Sequence, residues 1–217
     1  MNIPFTSEQF LEVFKQYNEA VFPMHILFYL LGFIIIYSTI KPNQKSNRFI
    51  NLIMAFFWLW MGIVYHIIFF SLINKLAYLF GSLFIVQGIL FLVFSFFKNK
   101  FSFKFQKNIY GIIGMILIVF AMIIYPILGY CFGHIYPFSP TFGLPCPTTI
   151  FTFGMLLLNQ KKCPIWILII PIFWSLIGFT AVFQFGILED SGLIVASLIS
   201  VFLLVYRNKM LLKIKYK

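Results

Sequence analysis

Charge is what this sequence has least of. Charged residues make up 10% of the 217, and only five are acids: Glu8, Glu12, Glu19, Glu189 and Asp190. A soluble domain carries about 25% charged residues, so this chain cannot clothe an ordinary water-facing surface. All five acids fall outside the long apolar runs. That places them in solvent or at an interface, and counts against a pump built on buried, paired carboxylates. Cysteine and histidine are scarce too, with three of each. Neither the cysteines (131, 146, 163) nor the histidines (25, 66, 134) show CxxC or HExxH spacing, so thiol oxidoreductases and zinc hydrolases have no local signature here. Hydrolase chemistry has none either, for want of a nucleophile–base pair or a phosphate loop. The first residues, MNIPFTSEQF, lack a basic n-region, and no cleavable signal peptide is expected there.

What the chain does have is hydrocarbon. It is 62% hydrophobic, with a mean hydropathy of +0.99. Apolar runs of about 20 residues recur, each long enough to cross a hydrocarbon layer of about 30 Å. They do not alternate in polarity as barrel strands would. The expected fold class is all-α, a polytopic transmembrane helical bundle of about seven spans, in contact with the lipid bilayer. Residues 1–20 read as an amphipathic interfacial helix, opened by a T-x-x-Q capping box at Thr6 and Gln9. Residues 21–206 form the bundle, with spans at 21–40, 49–70, 76–97, 109–129, a short 148–158, 164–185 and 192–206. Residues 207–217 form a basic cytoplasmic tail.

The net charge of +11 follows from the same arrangement. If every segment crosses and the N-terminus is outside, 14 of the 16 basic residues fall on the inner side, in clusters at 41–48, 98–107, 161–162 and 207–217. The positive-inside rule then puts the C-terminus in the cytoplasm, and an inner (plasma) membrane is the expected location. Such clusters attract anionic lipid. No soluble module exists to hold nucleic acid, and none is expected as a partner.

The stretch 125–158 holds five of the ten prolines. Pro145 and Pro147 flank Cys146, and each removes an N–H and disfavours helix before it, so a regular helix is expected to begin near Thr148. Eleven residues from there to Leu158 give roughly 16 Å, about half the hydrocarbon thickness. The helix would then start near mid-membrane, with the preceding loop dipping in from outside under cover of protein. Its free N–H groups, with Thr148 and Thr149, would favour an anion or a carbonyl-like group. The candidate ligand-binding residues are Thr141, Cys146, Thr148, Thr149, His66 and His134. Of these, His66, His134 and Cys146 are also candidate ligands for zinc, copper(I) or iron, should folding bring them together. Plainer roles compete: Thr148 as a cap, His66 bonded to a neighbouring helix, His25 and His134 in water. Cys131 and Cys146 are a possible disulfide in an oxidising compartment, with Cys163 a free thiol at the inner surface. The sequence leaves any cofactor unknown.

Three functions stay open: binding or transport of a small solute at the break, redox or metal handling by the outer histidines and cysteine, and a non-catalytic membrane assembly subunit. An enzyme is the least favoured reading.

PFTSEQFLEVFKQYN (4–18), FFWLWMGIVYHIIFF (56–70), INKLAYLFG (73–81), GHIYP (133–137) and above all PTFGLPCPTTIFTFG (140–154) resemble an uncharacterised bacterial family of small multi-pass inner-membrane proteins, a domain-of-unknown-function group whose members are sometimes labelled permeases. The resemblance implies location and fold and no activity. By its motifs, His66, His134, Cys146, Pro147, Thr148 and Thr149 match family positions. The chain is much too short for a twelve-span carrier.

Overall fold

The computed structural model describes residues 5–97 and 100–215, with side chains to residue 213. Residues 1–4, Lys98 and the side chains of Lys215 and Lys217, all used in the sequence reading, lie outside the described residues. Within them the protein is helical: α1 Ser7–Val21, α2 Met24–Ile40, α3 Ser46–Trp60, α4 Ala77–Phe96, α5 Ile109–Val119, α6 Tyr125–Cys131, α7 Pro145–Leu157, α8 Ile169–Phe185 and α9 Ser191–Lys215. α3 continues as a π-helical segment, Met61–Phe69, and α5 runs into α6 through a π turn, Phe120–Ile124. Among the described residues, five segments are long and apolar enough to cross a membrane: Ser46–Leu72, Ala77–Phe96, Ile109–Cys131, Ile165–Phe185 and Leu188–Lys213. α2 and α7, at 17 and 13 residues, are shorter.

Hydrogen bonds fix the direction of each pass. The segment after α4 bonds the C-terminal end of α2 (Phe105 N–H to the Thr39 carbonyl, 2.9 Å), the N-terminal end of α3 (Phe103 N–H to Asn47 Oδ1, 2.8 Å) and the C-terminal end of α7 (Lys104 N–H to the Leu158 carbonyl, 3.0 Å). These ends therefore share one side, called here the strap end. The start of α7 and the start of α9 meet at the other side, the cleft end, where Cys146 faces Asp190. The described residues of all four basic clusters sit at the strap end or in α9 beyond Arg207, whereas the acids of α1 and the α8–α9 turn lie at the cleft end.

α7 is the core of the bundle. Every residue from Pro147 to Leu157 is buried, because α3, α5, α8 and α9 all pack on it. α5 and α7 approach to backbone contact at Gly114 and Gly154; a Cβ on either would come within 3 Å of the other's carbonyl oxygen. Gly62 and Gly81 make the same close pair between the π segment and α4. Small residues at such crossings are how helices gain contact in lipid, where apolar burial alone drives little. Trp58 donates to Thr152 Oγ1 at 3.0 Å across the α3–α7 contact. Exposed apolar side chains such as Phe33, Ile116, Phe183, Leu198 and Phe202 face outward, as a lipid-facing surface requires.

α7 begins at Pro145, three residues earlier than the sequence reading placed it. The first-turn N–H groups of a helix have no partner within it, so proline costs nothing there. The helix is accordingly about 20 Å long, two-thirds of a hydrocarbon layer instead of half. The non-helical backbone before it is covered. Phe142 is fully buried among Phe28, Tyr29, Phe57 and Phe151. Asn18 of α1, also fully buried, donates to the carbonyls of Pro137 (2.6 Å) and Ser139 (2.9 Å) and meets His25 Nε2 at 3.0 Å. That contact gives His25 a protein partner in place of the solvated role expected of it.

α1 has the expected capping box, Thr6 with Gln9, and turns by 83° into α2. Its apolar face meets protein: Phe10 packs on Phe70 and Phe185 with ring centroids 5.6 and 4.6 Å away, and Phe14 and Tyr17 reach Tyr65. It roofs the cleft end. The strap end is closed by Phe101 and Phe103, stacked and buried, and by Asn159, which accepts from the Ser102 N–H at 2.9 Å.

Candidate functional site

Beneath α1 lies a cleft of about 900 Å³. α1, the α3–α4 link, α8 and the first turn of α7 form its walls, and most of its lining is aromatic or aliphatic. Ser71, Asn74 and Lys75 of the α3–α4 link and Thr180 and Gln184 of α8 bring polar groups to it, and a second set meets at the start of α7. Asp190, 3% exposed, accepts from the Tyr125 hydroxyl at 2.5 Å and from the Cys146 thiol at 3.5 Å. Glu189, 1% exposed, meets His134 Nδ1 at 2.9 Å on the side away from the cleft. Trp174 is buried in the wall. Tyr17 of α1 ties the roof down: its hydroxyl donates to the Gly143 carbonyl at 3.0 Å and accepts from the Trp60 N–H at 2.9 Å. Burial pushes this phenol well above its ordinary titration range, against a smaller opposing pull from the Trp60 N–H. It therefore stays a neutral hydroxyl that both donates and accepts.

Asp190 corrects the sequence reading most. The sequence puts Glu189 and Asp190 in solvent or at an interface; both are buried within the protein. The chain closes α8 with Gly186 in the left-handed conformation (φ 72°) and folds Leu188–Asp190 into a tight 3₁₀ turn that points back into the bundle. Two of the five acids standing side by side were the one available signal. Their partners, Tyr125 and His134, are 65 and 55 residues away along the chain, beyond the reach of local periodicity.

The α7 N-terminus also differs from expectation. Pro145 and Pro147 carry no N–H, and the Thr148 N–H bonds the Leu144 carbonyl at 3.1 Å, so Cys146 alone brings a backbone donor to the first turn. Thr148 and Thr149 do not cap the helix, whose N-cap is Leu144 with no side-chain bond. Thr149 bonds back to the Pro145 carbonyl at 2.8 Å, while the Thr148 and Thr141 hydroxyls are buried without partners. An external anion thus finds one N–H and a carboxylate already in place. At the far end of α7, Arg207 donates to the carbonyls of Leu157 (2.9 Å) and Leu156 (3.2 Å). The turn before α9 therefore sets an acid at the positive end of α7, and α9 itself sets the Arg207 cation at its negative end, the arrangement that complements a helix dipole.

Of the six expected ligand-binding residues, Cys146 alone lines the cleft. His134 is paired with Glu189, and neither lines the cleft. His66 lies fully buried behind the wall, 4.9 Å from Trp174 and 4.6 Å from Phe84 by ring centroids, with neither ring nitrogen bonded. The candidate metal ligands His66, His134 and Cys146 do not converge; among the described residues no group of three His, Cys, Asp or Glu side chains is placed to hold an ion. The candidate disulfide is not formed either. Cys131 is an exposed free thiol at the end of α6, and Cys146 is a free thiol turned to Asp190. Sequence reasoning missed Asp190, Tyr125, Trp174 and the phenylalanines of α1.

Residues 7–214 match the Family of unknown function (DUF6064). The chain belongs to that family. No curated protein and no solved structure matches it.

Proposed function

We propose that this is a multi-pass protein of an inner membrane that binds a small solute in the cleft beneath α1, as a permease-like carrier or receptor. The cleft itself carries the reading. A space of about 900 Å³ falls within the roughly 300–1,000 Å³ of small-molecule sites, which are mostly apolar with a few convergent polar groups. Here Asp190, Tyr125 and Cys146 meet at the start of a short helix in the bundle centre, the place where broken helices form the sites of membrane carriers. The segregation of basic residues to the strap end supports an N-terminus outside and a C-terminus in the cytoplasm. In that orientation the cleft faces outward and the strap closes the cytoplasmic side.

Thr180, an exposed lining residue on α8, gives a test. Thr180→Trp fills part of the cleft without entering the packed core. In cells expressing the protein, uptake of or resistance to small apolar solutes is expected to change with the wild type and to return to the vector baseline with Thr180→Trp at equal protein level. An unchanged profile in the variant rejects the cleft as the site.

A further inference from the structure

We infer that the cleft takes an organic cation, a protonated amine or quaternary ammonium on an apolar body, with Asp190 as its counter-ion. This inference rests on the reading of the cleft as a solute site. Of the two adjacent buried acids, Glu189 is paired with the His134 imidazole. Asp190 has no such partner: the ion pairs among the described residues are Lys15–Glu12 and His134–Glu189. Its two partners, the Tyr125 hydroxyl and the Cys146 thiol, are neutral donors. A carboxyl buried without a counter-charge is held towards its neutral form, so a cation seated beside Asp190 would restore its charge and be held by it, and an ionisable group inside a bundle marks a site by default. The walls suit the same ligand. Phe14, Tyr65, Phe70, Phe80, Trp174 and Phe185 all line the cleft, and aromatic faces attract cations through the ring quadrupole, most strongly where water is excluded. An anion is disfavoured, because the first turn of α7 offers it one N–H beside a carboxylate. Lys75, the one basic lining residue, stands exposed on the α3–α4 link at the rim, where solvent and salt screen it.

The test compares three ligands of one shape in protein-loaded nanodiscs, with empty nanodiscs subtracted: (4-phenylbutyl)trimethylammonium, its uncharged all-carbon isostere, and 4-phenylbutylsulfonate. The cation is expected to bind about tenfold or more tighter than the isostere, and the sulfonate weakest. Asp190→Asn is expected to bring the cation-to-isostere ratio close to one, and Thr180→Trp to weaken both. The wild-type ratio needs no variant, so a failure of Asp190→Asn to fold does not shield the inference. Equal binding of cation and isostere, or preference for the sulfonate, with loss in Thr180→Trp, overturns the cation assignment and leaves the cleft standing. Binding unaffected by Thr180→Trp, or no binding by any of the three, overturns the cleft reading and the cation with it.

Discussion

A methyl group added at Gly154 would sit 2.7 Å from the Gly114 carbonyl oxygen and 2.7 Å from Ile118 Cγ1. Ordinary contact begins at 3.4 Å, so α5 and α7 would have to part by 0.7 Å. The Ile118 side chain can rotate away; the Gly114 carbonyl belongs to helix backbone and cannot. Overpacking of this kind costs about 1–3 kcal/mol, and alanine's better helix propensity returns up to about 1 kcal/mol. With the full return, Gly154→Ala is expected to lose about 0–2 kcal/mol net. Gly114→Ala, with its methyl 2.9 Å from the Gly154 carbonyl, should lose a similar or slightly smaller amount. One separation of the two helices relieves both clashes, so the double variant should lose less than the sum of the two by about 1 kcal/mol. Helix propensity cancels in that double-mutant cycle. Reversible unfolding in mixed dodecylmaltoside–SDS micelles, followed by tryptophan fluorescence, supplies the three differences. Additivity within about 0.5 kcal/mol would refute the claim that α5 and α7 meet backbone to backbone at these glycines.

Arg207→Met strips two charge-assisted bonds from the last carbonyls of α7 and should cost about 2–4 kcal/mol in the same assay, with Arg207→Lys recovering less than half. Tyr17→Phe strands the Trp60 N–H and the Gly143 carbonyl; it should cost about 1–3 kcal/mol and speed hydrogen exchange in residues 137–144. In spheroplasts, a membrane-impermeant maleimide should label Cys131 at once, and label Lys162→Cys, at the strap end, only after permeabilisation; the reverse order would reject the proposed orientation.

Much of the architecture was legible because it depends on local pattern. The Thr6–Gln9 box, the apolar runs and the proline pair at 145 and 147 each report on a few neighbouring residues, and each marks a feature of the fold: a helix start, the bundle, a break. The sequence places the break late because prolines look like stops, whereas the first helical turn tolerates them. The site was far less legible. Acids at a turn look solvated in sequence, and nothing near Asp190 announces Tyr125 or Cys146. His66 drew attention as an ionisable group inside a span, yet it packs among rings behind the cleft wall. α1 looked like a helix resting on lipid because an amphipathic stripe cannot say what covers it; the cover is Tyr65, Phe70 and Phe185.

The central claim, an open cleft with an unpaired carboxylate at the start of α7, is tested most directly at Cys146. In protein carrying Cys131→Ser and Cys163→Ser, the remaining thiol lines the cleft beside Asp190. Its rate of modification by a trimethylammonium methanethiosulfonate and by a sulfonate methanethiosulfonate should be measured, each normalised to the rate with free cysteine. A negative cleft concentrates the cation, so the normalised ratio should favour the cationic reagent by about tenfold or more and fall towards one in Asp190→Asn. No modification of native protein by either reagent, or a ratio that favours the sulfonate, would contradict the account.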